Sequence, residues 1–484
     1  MALNGKDLKE MKAWIPVGDY ARNEEYYQGD NTAILGQPEK KKPDNRVPIA
    51  FTNRLIKNLT GYAARPGDIT IKPEDPKKEN SFIKSFNTIA IDNHFDLLNS
   101  QIYKTVLKHG IGYDLTWVET DENGVIKLKV ASVPVYQSLP IWSNELSPVK
   151  KMDAFVRYYN LDMPDVISPN GKDIKVKAGQ YANIFYEGYY EIWLLSEKTE
   201  EKAKRNHSEE KSRKIATVEQ PFKDVQVSSY LANDEMLPYW LPVKRIIDEF
   251  DKVISKNMNE VDRFNDTWVM FWQKVDPGIK RKIDQMGIID NLQNAFKEGT
   301  GDIWPRFLER NVPTEHAKLM LDKFEQLIYT IIGVPSFLDE SFNGASGVAL
   351  LFRLIGLEYA AIETDTYFDL GLNHRIELIK QATGSEFKIN NESVSEADIK
   401  NSELDIKHKR NLPMDVRSIV EDVVKLKAAG LSMQTILNYL PRSIVPDVEA
   451  ELERIEKAKE EMFNRLDNEG PPPEKEDKKD DKNK

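Results

Sequence analysis

Paired carboxylates are the residues of this 484-residue chain best suited to chemistry. Asp339-Glu340, Glu421-Asp422 and Glu453 with Glu456 could hold Mg²⁺ as in a metal-dependent nuclease, where hard oxygen ligands steady an ion that activates water. Acidic residues number 79, however, so chance adjacency is expected and helix surfaces explain most of it. No two of the histidines (His94, His109, His207, His316, His374, His408) lie within seven residues, which rules out a local histidine metal motif. His316 in the first turn of a helix and His374 on another read as solvated or packed. Cysteine is absent, which excludes disulfides, thiolate metal sites, iron–sulfur clusters and cysteine nucleophiles. Gly5-Lys6 and Gly171-Lys172 are each followed by Asp, so neither forms a phosphate-binding loop. Neither H-E-x-x-H nor G-x-S-x-G occurs. Gly110-Ile111-Gly112 lacks the third glycine of a dinucleotide fingerprint and reads as a helix end before a strand. The chain therefore reads as a non-enzyme without metal or cofactor, with a carboxylate nuclease as the alternative.

Charge narrows the partners. Lys and Arg total 68 against 79 Asp and Glu, a net charge of −11. A protein that grips duplex DNA by neutralising phosphates carries a basic excess, so any nucleic-acid contact here is local or weak. Trp268, Phe271 and Trp272 could stack on bases. They lack interleaved arginines, and burial in a core or subunit interface is the better reading. Apolar runs such as Val348-Ala349-Leu350-Leu351-Phe352 fall far short of the roughly 20 residues a membrane span needs. The N-terminus lacks the apolar core of a secretory signal, so nothing suggests export.

The elements that must position any site are mixed, and the fold class expected is α+β and helix-rich. Short helices are expected around Asp7–Trp14 and Tyr20–Gln28, before an irregular arm. Helical spacing of Phe51, Leu55, Ile56 and Leu59 ends at Gly61, and 79–109 reads as one or two amphipathic helices. The period then changes. Residues 112–118 and 126–130 alternate about a hairpin at Asp121-Glu122-Asn123-Gly124. Strands at 153–159 and 189–195 make 110–235 mainly β, with 197–214 a charged surface loop. Residues 243–264 return to helix with apolar side chains mostly three or four apart, a rod on the order of 33 Å long. A second rod begins at Pro313 and stops at Gly333, so that 265–312 is a compact α+β insert between two rods. The stretch 333–347 is glycine-bounded, has no basic residue and exceeds the usual helix–helix link, which tilts it toward function. A long helical segment from Val348 to about Ala382 follows, with Gly356 and Gly371 as expected kink points. A strand at 404–410, helices at 415–429, 432–440 and 447–466, and a charged, proline-containing disordered end complete the chain.

Several stretches, taken in this order, resemble the portal proteins of tailed bacteriophages, in particular those of long-tailed phages of Gram-positive hosts. They are Tyr26-Tyr27-Gln28-Gly29, the run from Asn53 to Gly61, Tyr103–Gly112 with its hairpin, and Pro446–Ile455. Above all they include Phe342-Asn343-Gly344-Ala345-Ser346-Gly347-Val348-Ala349-Leu350 with Gly356-Leu357-Glu358. The resemblance spans most of the chain and departs in the 197–214 loop and the short N-terminal arm. It implies a ring, usually of twelve subunits, at one capsid vertex of the virion, assembled in the host cytoplasm. Double-stranded DNA would be packaged and later ejected through its axial channel. In that scheme 1–240 and 348–410 form the wing, 241–264 and 313–332 the stem, and 265–312 the clip. The crown would be 411–466, and 467–484 a disordered tail. The segment 333–347 becomes the tunnel loop, with Asp339, Glu340, Ser341, Phe342, Asn343, Gly344, Ala345 and Ser346 facing DNA. Implied partners are further copies of the chain, the terminase large subunit, a head–tail adaptor, and the major capsid and scaffolding proteins. DNA would be bound weakly and without sequence preference, and no cofactor, metal or membrane is implied.

The residues fit that scheme on several points. A ring needs a heterologous interface that closes, and long amphipathic rods of mixed charge can pack side by side around an axis. A conduit must hold DNA without gripping it, and a loop with Asp339 and Glu340 but no base releases few counterions. Seven basic residues balance seven acidic ones in 265–312, as suits protein docking rather than a phosphate clamp. A third reading, a generic structural or tail-assembly protein, predicts oligomers without a DNA-sized hole.

Overall fold

The structure, a computed structural model, describes residues 3–31, 44–73 (except 64), 80–197 (except 122, 148 and 168–173), 212–265, 269–270, 306–307, 314–335, 352, 354–410 (except 387), 416–440, 444–445 and 448–468. It divides into two compact units, Met1–Asn411 and Leu412–Lys484. Helix and strand are mixed throughout the first unit, an α+β fold.

Successive side chains of a strand face opposite ways, and the antiparallel five-stranded sheet buries both of its faces. Its strands, in spatial order, are Arg213–Glu219, Tyr189–Glu197, Gly179–Tyr186, Met152–Leu161 and Ser138–Trp142. Phe155 and Phe185 point to one side, where they meet Ile111, Tyr113, Leu115, Val133 and Val227 of a three-stranded sheet. That sheet has the order Val227–Leu231, Ile111–Thr120, Ile126–Val133. Val156 and Ile184 point to the other side, covered by the helix Gly5–Met11 through Leu8 and Met11. Each such buried side chain is worth about 1.5–3 kcal/mol, so both faces of the sheet are specified. The expected hairpin is present: Asp121 Oδ1 accepts the N–H groups of Asn123 and Val125, both at 2.9 Å, an Asx turn. The charged segment 198–211 lies outside the described residues, but its flanks, to Glu197 and from Arg213, are strand.

A long helix, Ile355–Thr383, lies across Val227–Leu231. Where the sequence suggests a kink at Gly371, the structure gives the glycine a packing role. A Cβ there would stand 2.5 Å from the Tyr230 ring and 2.6 Å from the Ser229 carbonyl oxygen. One turn on, Arg375 is fully buried and donates from Nε to Asp114 Oδ2 and from Nη1 to Asn99 Oδ1, each at 2.6 Å. The Tyr230 hydroxyl donates to the same Asp114 oxygen at 2.6 Å. The guanidinium also lies over the Phe95 and Tyr230 rings, at 5.2 and 5.3 Å. One point thus ties the helix Phe95–His109, two strands and the long helix.

Elsewhere on the long helix, Arg410 Nε donates to Glu358 at 2.8 Å and Nη1 pairs with Asp365 at 2.7 Å. His408 Nε2 lies 2.8 Å from Asp369. Burial works to lower the His408 pKa, but the Asp369 hydrogen bond and the Asp365 charge raise it overall. These contacts fasten the strand Ser402–Lys409, which pairs with Arg65–Pro73 in the register Ile71 opposite Leu404. The second unit has the helices Val416–Ala428, Met433–Tyr439 and Val448–Asn468. Ser432 caps the middle one, its Oγ accepting the Thr435 N–H at 3.3 Å. The tail 469–484 lies outside the described residues.

Candidate functional site

Amphipathic spacing makes two rods, Lys244–Asn265 and Thr314–Ile332, which pack on each other. A 3-10 turn, Leu241–Val243, leads into the first. At about 1.5 Å per residue the rods are on the order of 33 and 28 Å long. One end of the pair is anchored in the core. Ile247 and Phe250 of the first rod and Ile328, Tyr329 and Ile332 of the second are buried. Phe250 meets Phe51 edge-on, 4.9 Å between centroids, and the Tyr239 hydroxyl donates to the Ile332 carbonyl at 3.1 Å. Farther from this anchor, Met258, Val261 and Leu319 are about half exposed.

An extended arm, residues 44–50, runs antiparallel to the first rod and is hydrogen-bonded to it. Ile49 N–H donates to Asp251 Oδ1 at 3.1 Å and Val47 N–H to Ser255 Oγ at 3.0 Å. Asn45 N–H donates to Asn259 Oδ1, and Asn45 Nδ2 to Asp262. Two residues of extended chain advance roughly 6.6 Å and four helical residues about 6 Å, so alternate amides meet one acceptor per helical turn. Pro48, which has no N–H to give, falls at a skipped position.

At the arm's foot two carboxylates share one amide. Asn31 Nδ2 donates to Asp248 Oδ1 at 3.0 Å and to Asp251 Oδ2 at 3.4 Å. Asp248 also receives the Tyr26 hydroxyl and, at 2.9 Å, Lys244 Nζ. Burial pushes the Asp248 carboxyl up, but these donors outweigh it and hold the group below the usual range. Asp251 is fully buried with fewer donors. Burial drives it up to about 7, against the hydrogen bonds from Ile49 and Asn31. In the sequence Asp251 is one of five acidic groups on a rod of mixed charge. Its place on the apolar stripe, one turn after Ile247 and next to Phe250, is the signal that marks it as buried.

The second rod ends at Gly333, whose backbone (φ +74°) meets the start of the long helix. A Cβ on Gly356 would come 2.5 Å from the Gly333 carbonyl oxygen, so this glycine, like Gly371, serves close packing. The two glycines bring both ends of the intervening segment together. The candidate loop residues Asp339, Glu340, Ser341, Phe342, Asn343, Gly344, Ala345 and Ser346 lie outside the described residues. So does most of 265–312, together with the side chains of Trp268, Phe271 and Trp272. Within it Val269–Met270 and Arg306–Phe307 pair as short antiparallel strands.

Among the described residues no group of three or more His, Asp or Glu could hold a metal ion. Asp422 and Glu453, two of the candidate metal carboxylates, each face a lysine 3.7 Å away on a helix surface, Lys425 and Lys457. His316 is exposed, and His374 Nδ1 lies 3.1 Å from Ser228 Oγ. A family described as phage portal protein, SPP1 Gp6-like, matches the chain over residues 16–462. The chain belongs to that family. Portal proteins of this kind are structural rather than enzymatic. The matched span includes both rods, the arm, the Asp248–Asp251 pair and the Arg375 network. No curated protein matches the chain. No described helix of this portal-family chain is long and apolar enough to cross a membrane.

Proposed function

We propose that the chain is the portal of a long-tailed phage of a Gram-positive host: a ring, of twelve copies as is usual for such proteins, at one capsid vertex. Double-stranded DNA enters and leaves through it. The family match over residues 16–462 carries this reading. The rods support it, because Met258, Val261 and Leu319 stay half exposed on one copy and suit rods packed side by side around an axis. The stem is 241–264 with 313–332, the clip 265–312, the wing 1–240 with 348–410, and the crown 411–466. The loop 333–347 reaches the channel through Asp339 to Ser346. With two acids and no base it leaves phosphates their counterions, so DNA slides past. The clip receives the terminase large subunit and later a head–tail adaptor, with the major capsid and scaffolding proteins around the vertex. The chain works in the virion after assembly in the host cytoplasm, without cofactor and without catalysis.

Purified protein should form a closed ring with a hole wide enough for duplex DNA in class-averaged images down its axis. It should also leave plasmid intact in Mg²⁺ or Mn²⁺. A strict monomer at high concentration and capsid-like ionic strength, or a nicked plasmid, overturns the reading in favour of a nuclease or another structural protein. Deleting 338–345 should cripple DNA packaging while capsids still assemble. Normal packaging by that deletion removes the tunnel loop and leaves the ring.

A further inference from the structure

The first half of the long helix carries apolar side chains on opposite faces. Leu357, Ala361 and Phe368 are buried in the unit's own core. Ile355, Tyr359 and Ile362 are instead 44%, 65% and 50% exposed, and Phe352, just before the helix, is 68% exposed. Spacings of four and three put Ile355, Tyr359 and Ile362 on one side of the helix. Leu327 and Ile331 of the second rod are 45% and 50% exposed, and rod and helix touch at Gly333 and Gly356. A helix that is apolar on opposite faces needs two coverings, and the described residues of the subunit supply one.

The six side chains expose on the order of 600 Å², the top of the ~300–600 Å² typical of the largest patch on a monomer. It also approaches the ~800 Å² each partner contributes to a standard interface. Glu358, the acid set within the stripe in sequence, is held by Tyr62 and Arg410 of the same chain. The six side chains are themselves uncharged, which suits an apolar protein partner rather than a phosphate backbone, and Arg353, next to Phe352 in sequence, lies outside the described residues. We infer that the stripe Ile355, Tyr359 and Ile362, with Phe352, Leu327 and Ile331, is where the next copy of the chain packs. The inference rests on the portal reading and adds the surface by which each subunit meets its neighbour.

The chain has no cysteine, so a single introduced thiol reports a single position. Ile362→Cys protein is separated by size into ring and monomer fractions, and each is treated with a maleimide. The thiol should react at least tenfold more slowly in the ring fraction. Equal, fast rates in both fractions overturn the contact and leave the ring standing. Slow reaction in both means the chain's own residues cover the stripe, which overturns it as well. If the unsubstituted chain yields no ring fraction, the portal reading itself fails. The paired change Tyr359→Asp with Ile362→Asp should convert rings to monomers whose thermal midpoint matches that of the parent's monomer fraction. Should that pair fail to fold, the thiol rates alone decide.

Discussion

Arg375→Ala should cost about 3–5 kcal/mol of stability, because deleting one member of a fully buried ion pair strands the other. Both side chains are wholly inaccessible, and among the described residues Asp114 would keep only the Tyr230 hydroxyl on Oδ2, its Oδ1 having no hydrogen-bond partner. Chemical denaturation should report a lower midpoint at an unchanged slope. Arg375→Lys should restore only part of the loss, since one ammonium cannot reproduce a planar fork serving Asp114 and Asn99 together. Replacing both charges, Asp114→Leu with Arg375→Met, should leave the protein more stable than Arg375→Ala, because no charge is then stranded. A loss below about 1 kcal/mol in Arg375→Ala would mean that water reaches Asp114, and the account of a dry junction would be wrong.

Asp251 should make stability decline as pH rises. Its folded pKa, about 7, stands above the ordinary carboxyl value near 4, so between these limits the folded state holds the proton more often than the unfolded one. The contribution is complete below the unfolded value and is lost as pH climbs through 7. Roughly three pH units at about 1.4 kcal/mol each set the ceiling, and an effect on the order of 2–4 kcal/mol is expected. Asp251→Asn should therefore exceed the parent in stability at pH 8 and match it near pH 4. His408 titrates in the same direction, and His109 and His374, lowered by burial, in the opposite one. The parent–variant difference, measured by urea unfolding across that range, isolates Asp251. A difference independent of pH would show that the carboxyl is not driven upward by burial.

Rods and β layers are legible in the sequence because their signals are local. Ile247 and Phe250 recur at helical spacing, and Asp121-Glu122-Asn123-Gly124 marks a turn within four residues. What escapes is pairing at a distance. Asp114 sits in a mostly apolar strand and Arg375 on a buried helix face, but nothing local joins two groups 261 residues apart. The antiparallel match of 65–73 with 402–409 escapes for the same reason, although each strand alternates by itself. Gly356 and Gly371 illustrate a different limit. A helical glycine reads as a bend, and only the opposing backbone or ring reveals a close contact. The loop residues Asp339 to Ser346 rest on family resemblance and on the charge of the segment, while its two ends are held by Gly333 and Gly356.

The arm and the first rod behave like two rulers with nearly matching divisions. An insertion or deletion in one cannot be absorbed without a compensating edit in the other. Trimming the helix by a full turn strands an amide unless two arm residues go with it, and adding a single arm residue puts Pro48 opposite an acceptor that it cannot satisfy. Relatives with longer or shorter stems should therefore change the two lengths together, in steps of about four residues to two.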